Sequence, residues 1–140
     1  MKNVTYLKEY EFRDSGLTSI DLSNIQHIGG SDVCYGCTNL TTVTFPSPSF
    51  DWFDNYNTSS DNKGSFFRNC TSLTSVDLSN ALSIGKGMFY GDTSLTTITL
   101  SASNITSIPY EFCRGCSNLT SLGEKITPTY IGDRAFEGCT

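Results

Sequence analysis

Apolar residues along this chain recur in short, similar phrases rather than in long runs. The strings GLTSIDLSN from Gly16, NLTTVTFPS from Asn39, SLTSVDLSN from Ser72, SLTTITLSA from Ser94 and NLTSLGEKI from Asn118 are versions of one motif. Self-similarity at a fixed period marks a repeat architecture and takes precedence over local propensity. The leading leucines, Leu17, Leu40, Leu73, Leu95 and Leu119, fall 23, 33, 22 and 24 residues apart. The long interval exceeds the period by about ten residues, and this insertion lies within PSPSFDWFDNYNTSSDNKG, at about 46–64.

Three further landmarks precede each leucine in a constant order. One register holds Cys37, Cys70, Asp92 and Cys116, with Cys139 opening another copy. A second holds Cys34, Phe67, Phe89, Cys113 and Phe136 as core positions. Upstream lies an isoleucine followed by a turn residue, as in Ile28-Gly29, Ile84-Gly85, Ile108-Pro109 and Ile131-Gly132.

After each leucine, apolar and polar residues alternate with the period of two that marks a half-buried strand. A strand this short cannot bury its face alone, so copies must stack and their strands pair in parallel. The predicted inward set is Ile20/Leu22, Val43/Phe45, Val76/Leu78 and Ile98/Leu100, with Leu122 entering the last full coil. The stretch GKGMFYGDTS suits a short helical or 3₁₀ turn on the return limb. The fold class is therefore an α/β-type or mainly β solenoid, with one short parallel strand per ~23-residue repeat and helical, 3₁₀ or irregular return limbs.

The pattern I-G-x-x-x-F-x-x-C-x-x-L-T-x-[IV]-x-[LF], read in Ile84–Leu100 and begun again at Ile131–Cys139, resembles the BspA-like (Treponema-type) leucine-rich repeat. FRDSGLTSI at Phe12–Ile20 is similar to a variant in which Ser-Gly replaces the Cys-x-x spacing. Departures occur at Asp92, where cysteine is usual, at Cys34 and Cys113 in place of the core Phe, and at Phe50–Lys63 in place of an Ile-Gly limb. The resemblance implies a right-handed leucine-rich-repeat solenoid without enzymatic activity. It also implies an extracellular or cell-surface location and a role in adhesion or binding.

Residues 1–140 read as a single domain of about five to six coils. Residues 1–12 form a partial N-terminal cap through Val4, Tyr6, Leu7 and Phe12, and the last repeat is truncated at Thr140. A stop in mid-repeat leaves apolar strand edge exposed. We therefore expect a segment of a longer array, or a coil end that associates end to end with another chain.

Composition narrows the function classes. Leu, Ile, Val and Phe number 33 of 140, enough for a folded core. With 9 basic against 14 acidic residues and a net charge of -5, no basic patch is available for nucleic acid. No run approaches the ~18 apolar residues of a membrane span, and MKNVTYLKEYEF lacks the apolar core of a secretory signal. The 19 Ser and 18 Thr are largely positional, following each leucine or facing outward on the strands.

CYGC at Cys34–Cys37 and CRGC at Cys113–Cys116 suggest either two redox pairs or one Cys₄ zinc site. The repeat argues against both. It places the pairs three coils apart, ~14 Å at ~4.8 Å per strand, whereas zinc needs all sulfurs ~2.3 Å from one point. The redox reading lacks a βαβ context. Cysteine as a small buried hydrophobe fits both registers. Disulfides Cys37/Cys70 and Cys116/Cys139 between neighbouring coils stay open. No cofactor and no metal is expected.

Catalysis finds little support. His27 is the lone histidine and sits on a turn, with no acid and nucleophile placed around it by the repeat. Asp21 and Asp77 occupy equivalent outward strand positions, separated by Thr44, and read as solvated face residues. No enzyme activity is expected.

Two surfaces remain for a protein or glycan ligand. The outward strand face carries Thr42, Thr44, Asp77, Thr97 and Thr99, but lacks the Trp, Tyr and Arg anchors of protein hot spots. The insertion carries the only tryptophan, Trp52, with Phe50, Phe53 and Tyr56. Beside them lie Asp51, Asp54, Asn55 and Asn57. Aromatics beside carboxylates and amides have the composition of a recognition loop. One or two of these aromatics must also fill the core space of the missing Ile-Gly limb. We expect Phe50 or Phe53 inward and Trp52 or Tyr56 more exposed. A calcium site at Asp51/Asp54/Asp61 matches no established loop spacing.

Overall fold

The computed structural model describes residues 3–52 and 64–140. In chain order the strands are β1 (Tyr6–Leu7), β2 (Ser19–Asp21), β3 (His27–Ile28), β4 (Thr42–Thr44) and β5 (Ser75–Leu78). They continue with β6 (Thr97–Leu100), β7 (Ser107–Ile108), β8 (Ser121–Gly123) and β9 (Tyr130–Ile131). Every pairing is parallel: β2 with β4, β5 with β6 and then β8, and on the return limb β1 with β3 and β7 with β9. The register superposes equivalent repeat positions, Ile20 on Val43 and Val76 on Ile98. This is a parallel β-solenoid.

No helix forms among the described residues; the stretch around Gly85–Ser94, suited by sequence to a short helical or 3₁₀ turn, is a run of tight turns, the irregular form of return limb. The cause is a pair of left-handed residues four positions apart in successive coils. Tyr10 and Asp14, Asp32 and Gly36, Gly87 and Gly91, Glu111 and Gly115, and Arg134 and Gly138 all have φ between 52° and 80°. A left-handed residue cannot continue a right-handed helix. Single-turn bonds such as Cys37 N–H to Cys34 O (3.2 Å) and Leu40 N–H to Cys37 O (3.0 Å) therefore never propagate.

The core is a column along the solenoid axis. Leu22, Leu78 and Leu100 face inward from the strand side, and Leu40, Leu73 and Leu95 anchor each strand start, all buried. Facing them, the core register is doubled, because the residue before it is buried too: Val33, Phe66, Met88, Phe112 and Ala135. Phe112 thus supplies the bulk that Cys113 lacks. Phe45, Phe67, Phe89 and Phe112 form a continuous aromatic stack with centroid steps of 5.9, 5.8 and 5.6 Å. At the N-terminus Leu7 is buried, whereas Val4 and Tyr6, expected as capping residues, are exposed.

The cysteine register is a ladder of hydrogen bonds. The thiols of Cys37, Cys70, Cys116 and Cys139 donate to the carbonyls of Phe12, Cys34, Phe89 and Cys113 on the preceding coil, at 3.0, 3.2, 3.0 and 3.2 Å. A small weak donor suits a buried carbonyl. All six cysteines are free thiols, so the Cys37/Cys70 and Cys116/Cys139 disulfides left open by the sequence are not formed; the sulfurs of these four point at carbonyls instead. The threonine after each leucine forms a second ladder. The hydroxyls of Thr41, Thr96 and Thr120 donate to the carbonyls of Thr18, Thr74 and Thr96 at 3.0, 3.0 and 3.2 Å.

Candidate functional site

The insertion interrupts the strand face at one place. Between Thr41–Phe45 and Leu73–Leu78 no hydrogen bond forms, so β2–β4 and β5–β6–β8 are separate sheets. The threonine ladder skips the same step, since Thr74 makes neither the main-chain nor the hydroxyl bond its counterparts make. The turn side stays closed, with Cys34 N–H bonded to Phe66 O at 2.9 Å and Gly36 N–H to Arg68 O at 2.9 Å. The opening is a seam in the strand face alone.

The local sequence explains it. Phe45 precedes Pro46, which restricts Phe45 to extended geometry and removes a main-chain donor. After Pro46-Ser47-Pro48 the chain returns at Phe50, which bridges Ala81 through Phe50 N–H to Asn80 O (3.1 Å) and Leu82 N–H to Phe50 O (2.9 Å). Phe50 stacks on Phe45 at 5.6 Å and 3°, and Trp52 packs on Phe50 at 4.5 Å.

Two cavities flank this aromatic wall and share Pro46 and Phe50. One, about 330 Å³, opens at the seam between β4 and β5. Val43, Phe45 and Phe50 form its floor, and Thr44, Asp77 and Asn80 its rim. The other, about 460 Å³, lies beyond Pro46 and is edged by Asn24, Gln26, Asp51 and Trp52. Val43 and Phe45 are only half buried, unlike the equivalent Ile20/Leu22 and Val76/Leu78, because the seam lets solvent reach the core.

The sequence-derived candidates divide accordingly. Thr44 and Asp77 meet across the seam cavity. Thr42 lies on the first sheet, whereas Thr97 and Thr99 lie on the second, where Thr99 is the register neighbour of Asp77. Asp51 edges the second cavity and its carboxylate accepts a hydrogen bond from the Ser83 hydroxyl. Phe50 is inward, one of the two alternatives expected there, and Trp52, offered with Tyr56 as the more exposed ring, is only 6 % exposed, because its ring fills core space behind Phe50. Phe53, Asp54, Asn55, Tyr56, Asn57 and Asp61 lie outside the described residues.

Sequence reading missed a second feature. The residue after each core position alternates Arg13, Tyr35, Arg68, Tyr90, Arg114. In the structure these side chains stack as cation–π pairs along the turn side. Arg13 lies 4.8 Å from the Tyr35 ring, Arg68 5.9 Å from Tyr35 and 4.0 Å from Tyr90, and Arg114 5.5 Å from Tyr90. Reading that single register down the repeats would have revealed it. Two of its three arginines are ion-paired, Arg114 with Glu111 at 2.5 Å and Glu137 at 3.1 Å and Arg13 with Asp14 at 3.4 Å, whereas Arg68 is held between the Tyr35 and Tyr90 rings. The stacked side chains couple successive coils. Tyr90→Ala removes the ring between two guanidiniums and should cost about 1–2 kcal/mol, at ~0.5–1 per cation–π pair. Urea unfolding of wild type and variant measures it.

The C-x-x-C pairs lack the access that thiol chemistry needs. Hydrogen bonding from the Cys34 thiol pulls the Cys37 pKa down to about 6, while the same bond, and burial after it, push Cys34 up. Cys37 is fully buried, however, and its proton is donated to Phe12 O, so a thiolate there would face a carbonyl oxygen. No cluster of three or more His, Cys, Asp or Glu side chains able to hold a metal forms among the described residues. In the native protein, Ellman's reagent should label Cys139, the one cysteine not fully buried, well before the other five. Rapid labelling of two or more would contradict that picture.

No helix among the described residues is long and apolar enough to cross a membrane. No curated protein matches the chain. Among solved structures, a leucine-rich repeat protein from T. pallidum is similar at 24 % identity and a TM-score of 0.67, over 97 % of this chain and 70 % of that one. A leucine-rich repeat protein from Bacteroides ovatus is similar at 25 % identity and a TM-score of 0.60. The match spans 97 % of this chain but only 38 % of the Bacteroides protein. The profile described as BspA type leucine rich repeat region matches residues 5–140 in 6 copies. The chain belongs to the BspA-type leucine-rich repeat family.

Proposed function

We propose that this chain is a non-enzymatic, extracellular or cell-surface interaction module that binds a protein or glycan ligand at the seam and the adjoining insertion. One observation carries the reading: among the described residues strand-face pairing is lost between β4 and β5, and beside that break lie two adjoining cavities with apolar floors and polar rims. Convergent polar groups around an apolar floor are the usual form of a ligand site. The family supports the surface location.

Because Trp52 is buried, truncating it would damage the core, so rim charges make the sharper test. Thr44→Lys should weaken binding to the best ligand in a panel of immobilised oligosaccharides and matrix proteins by about tenfold or more. Ser19→Lys, on the same sheet but away from the seam, should leave it unchanged. Equal binding by both variants, with wild-type melting temperatures, would remove the seam from consideration.

A second reading, end-to-end association, rests on Tyr130 and Ile131. These β9 residues are 59 % and 56 % exposed side by side. Ile131→Lys should then abolish any concentration-dependent oligomer seen by light scattering. A wild-type chain that stays monomeric at millimolar concentration would dismiss it.

A further inference from the structure

We propose that the seam cavity is a subsite for a neutral saccharide, an inference that rests on the binding role assigned above and names its ligand class. Size sets the first limit. About 330 Å³ falls at the lower end of small-ligand pockets. The spacing of the strands sets the second. The Cα atoms of β4 and β5 approach within 8 Å, whereas a peptide strand paired between them would hold them ~9.6 Å apart. The unpaired edges are therefore too close to admit an added strand, which disfavours the usual main-chain capture of a peptide.

Charge sets the third. Among the described residues no lysine, arginine or histidine lines either cavity. A phosphate, sulfate or uronate there would meet the Asp77 carboxylate with no described cation to neutralise it. Neutral hydroxyls suit the rim instead. Asp77 Oδ1 accepts from Ser79 N–H at 2.9 Å, which leaves its second oxygen as an acceptor. Asn80 offers both a donor and acceptors, and Thr44 a hydroxyl. Polar groups that both donate and accept around a small opening match vicinal diols.

The half-buried Val43 and Phe45 complete the match, because the C–H face of a sugar ring can lie against apolar surface while its hydroxyls reach the rim. The second cavity, sharing Pro46 and Phe50 and edged by Asn24, Gln26 and Asp51, repeats the same chemistry. Two such subsites side by side fit an oligosaccharide better than a single sugar.

The test is an amide NMR titration of the full chain with cellohexaose, maltohexaose and mannohexaose, with a heparin hexasaccharide and an aliphatic hexapeptide as contrasts. At least one neutral hexasaccharide should perturb Thr44, Asp77 and Asn80 at millimolar concentration, with little dependence on salt. Asn80→Ala or Thr44→Val should weaken that binding by about tenfold, and either variant suffices if the other does not fold. Heparin and the peptide should leave these amides unmoved. The saccharide assignment falls if no neutral hexasaccharide acts there, if only heparin or the peptide does, or if both folded variants bind as wild type. If Thr44→Lys still lowers binding to a protein of the panel, the seam remains a binding site and only its ligand class is wrong. If neither effect is found, both fall.

Discussion

Phe67→Ala should destabilise the protein by about 3–5 kcal/mol, the range for removing a fully buried aromatic ring. Phe67 is 0 % exposed and joins three rings: Phe66 at 4.5 Å, Phe89 at 5.8 Å and Phe45 at 5.9 Å. It also sits where the strand face is open, so the coils on either side are joined through the core, the turn-side bonds and the Phe50–Ala81 bridge, without strand-face rungs. In a solenoid each coil contacts only its neighbours, and stability is close to a sum of coil and interface contributions. Losing the ring at the weakest interface should therefore split unfolding into two steps, the N-terminal coils melting first. Trp52, the single tryptophan, reports on that junction. Urea unfolding followed by Trp52 fluorescence and by far-ultraviolet circular dichroism should give coincident curves for wild type and separated curves for Phe67→Ala. Leu82→Ala, at a site 46 % exposed, should shift stability by no more than about 0.5 kcal/mol. A Phe67→Ala midpoint no lower than that of Leu82→Ala would refute the account.

Asp92→Cys should stabilise the protein, increasingly so as pH rises. Asp92 replaces a thiol in the cysteine register and is 0 % exposed. Its Oδ1 accepts from Cys70 N–H at 2.8 Å, whereas its Oδ2 is buried without a partner. Burial raises its pKa well above the usual carboxylate range, reinforced by the nearby Cys116 and opposed by hydrogen bonds from the Cys70 and Asn69 main chain. The sign follows from proton counting. Above about pH 4 the unfolded chain releases this proton while the folded chain retains it, so rising pH favours unfolding. The loss is about 1.4 kcal/mol per pH unit until the folded carboxyl itself ionises. Cysteine restores the donor and stays neutral through this window, and Asp92→Asn should act in the same direction. Urea midpoints of wild type and Asp92→Cys should diverge between pH 4.5 and 8. Parallel profiles would show that Asp92 does not titrate as its burial requires.

Much of the fold was legible from spacing. The leucine interval, the alternation after it and the landmarks before it led to stacked parallel strands, and Ile20 indeed lies on Val43 and Val76 on Ile98. The doubled core register was not legible. Val33, Phe66, Met88, Phe112 and Ala135 share burial rather than a residue type, and a register is found by type only when its chemistry is constant. Which of the helical, 3₁₀ and irregular forms the return limb takes was not legible for a related reason. Left-handed positions occupied by Tyr10, Asp32, Glu111 and Arg134 carry no glycine to announce them.

The seam shows where one-dimensional reading stops. The insertion and its aromatic content were visible, and so was the need for some of those rings to fill the core. Which rings do so depends on where the chain re-enters. Phe50 meets Ala81, and Trp52, one of two rings offered for the more exposed side, packs behind Phe50 and is buried. Thr44 and Asp77 looked like ordinary outward residues of one continuous ladder, until the missing rungs between β4 and β5 made them opposite walls of a cavity. Repeat period, strand direction and the cysteine and threonine registers belong to the sequence, because each follows from local alternation and a constant rise per coil. The break in the sheet, the cavities beside it and the stacked arginine–tyrosine strip belong to the packed structure. They arise between residues of different coils, and their geometry exists only once the coils have stacked.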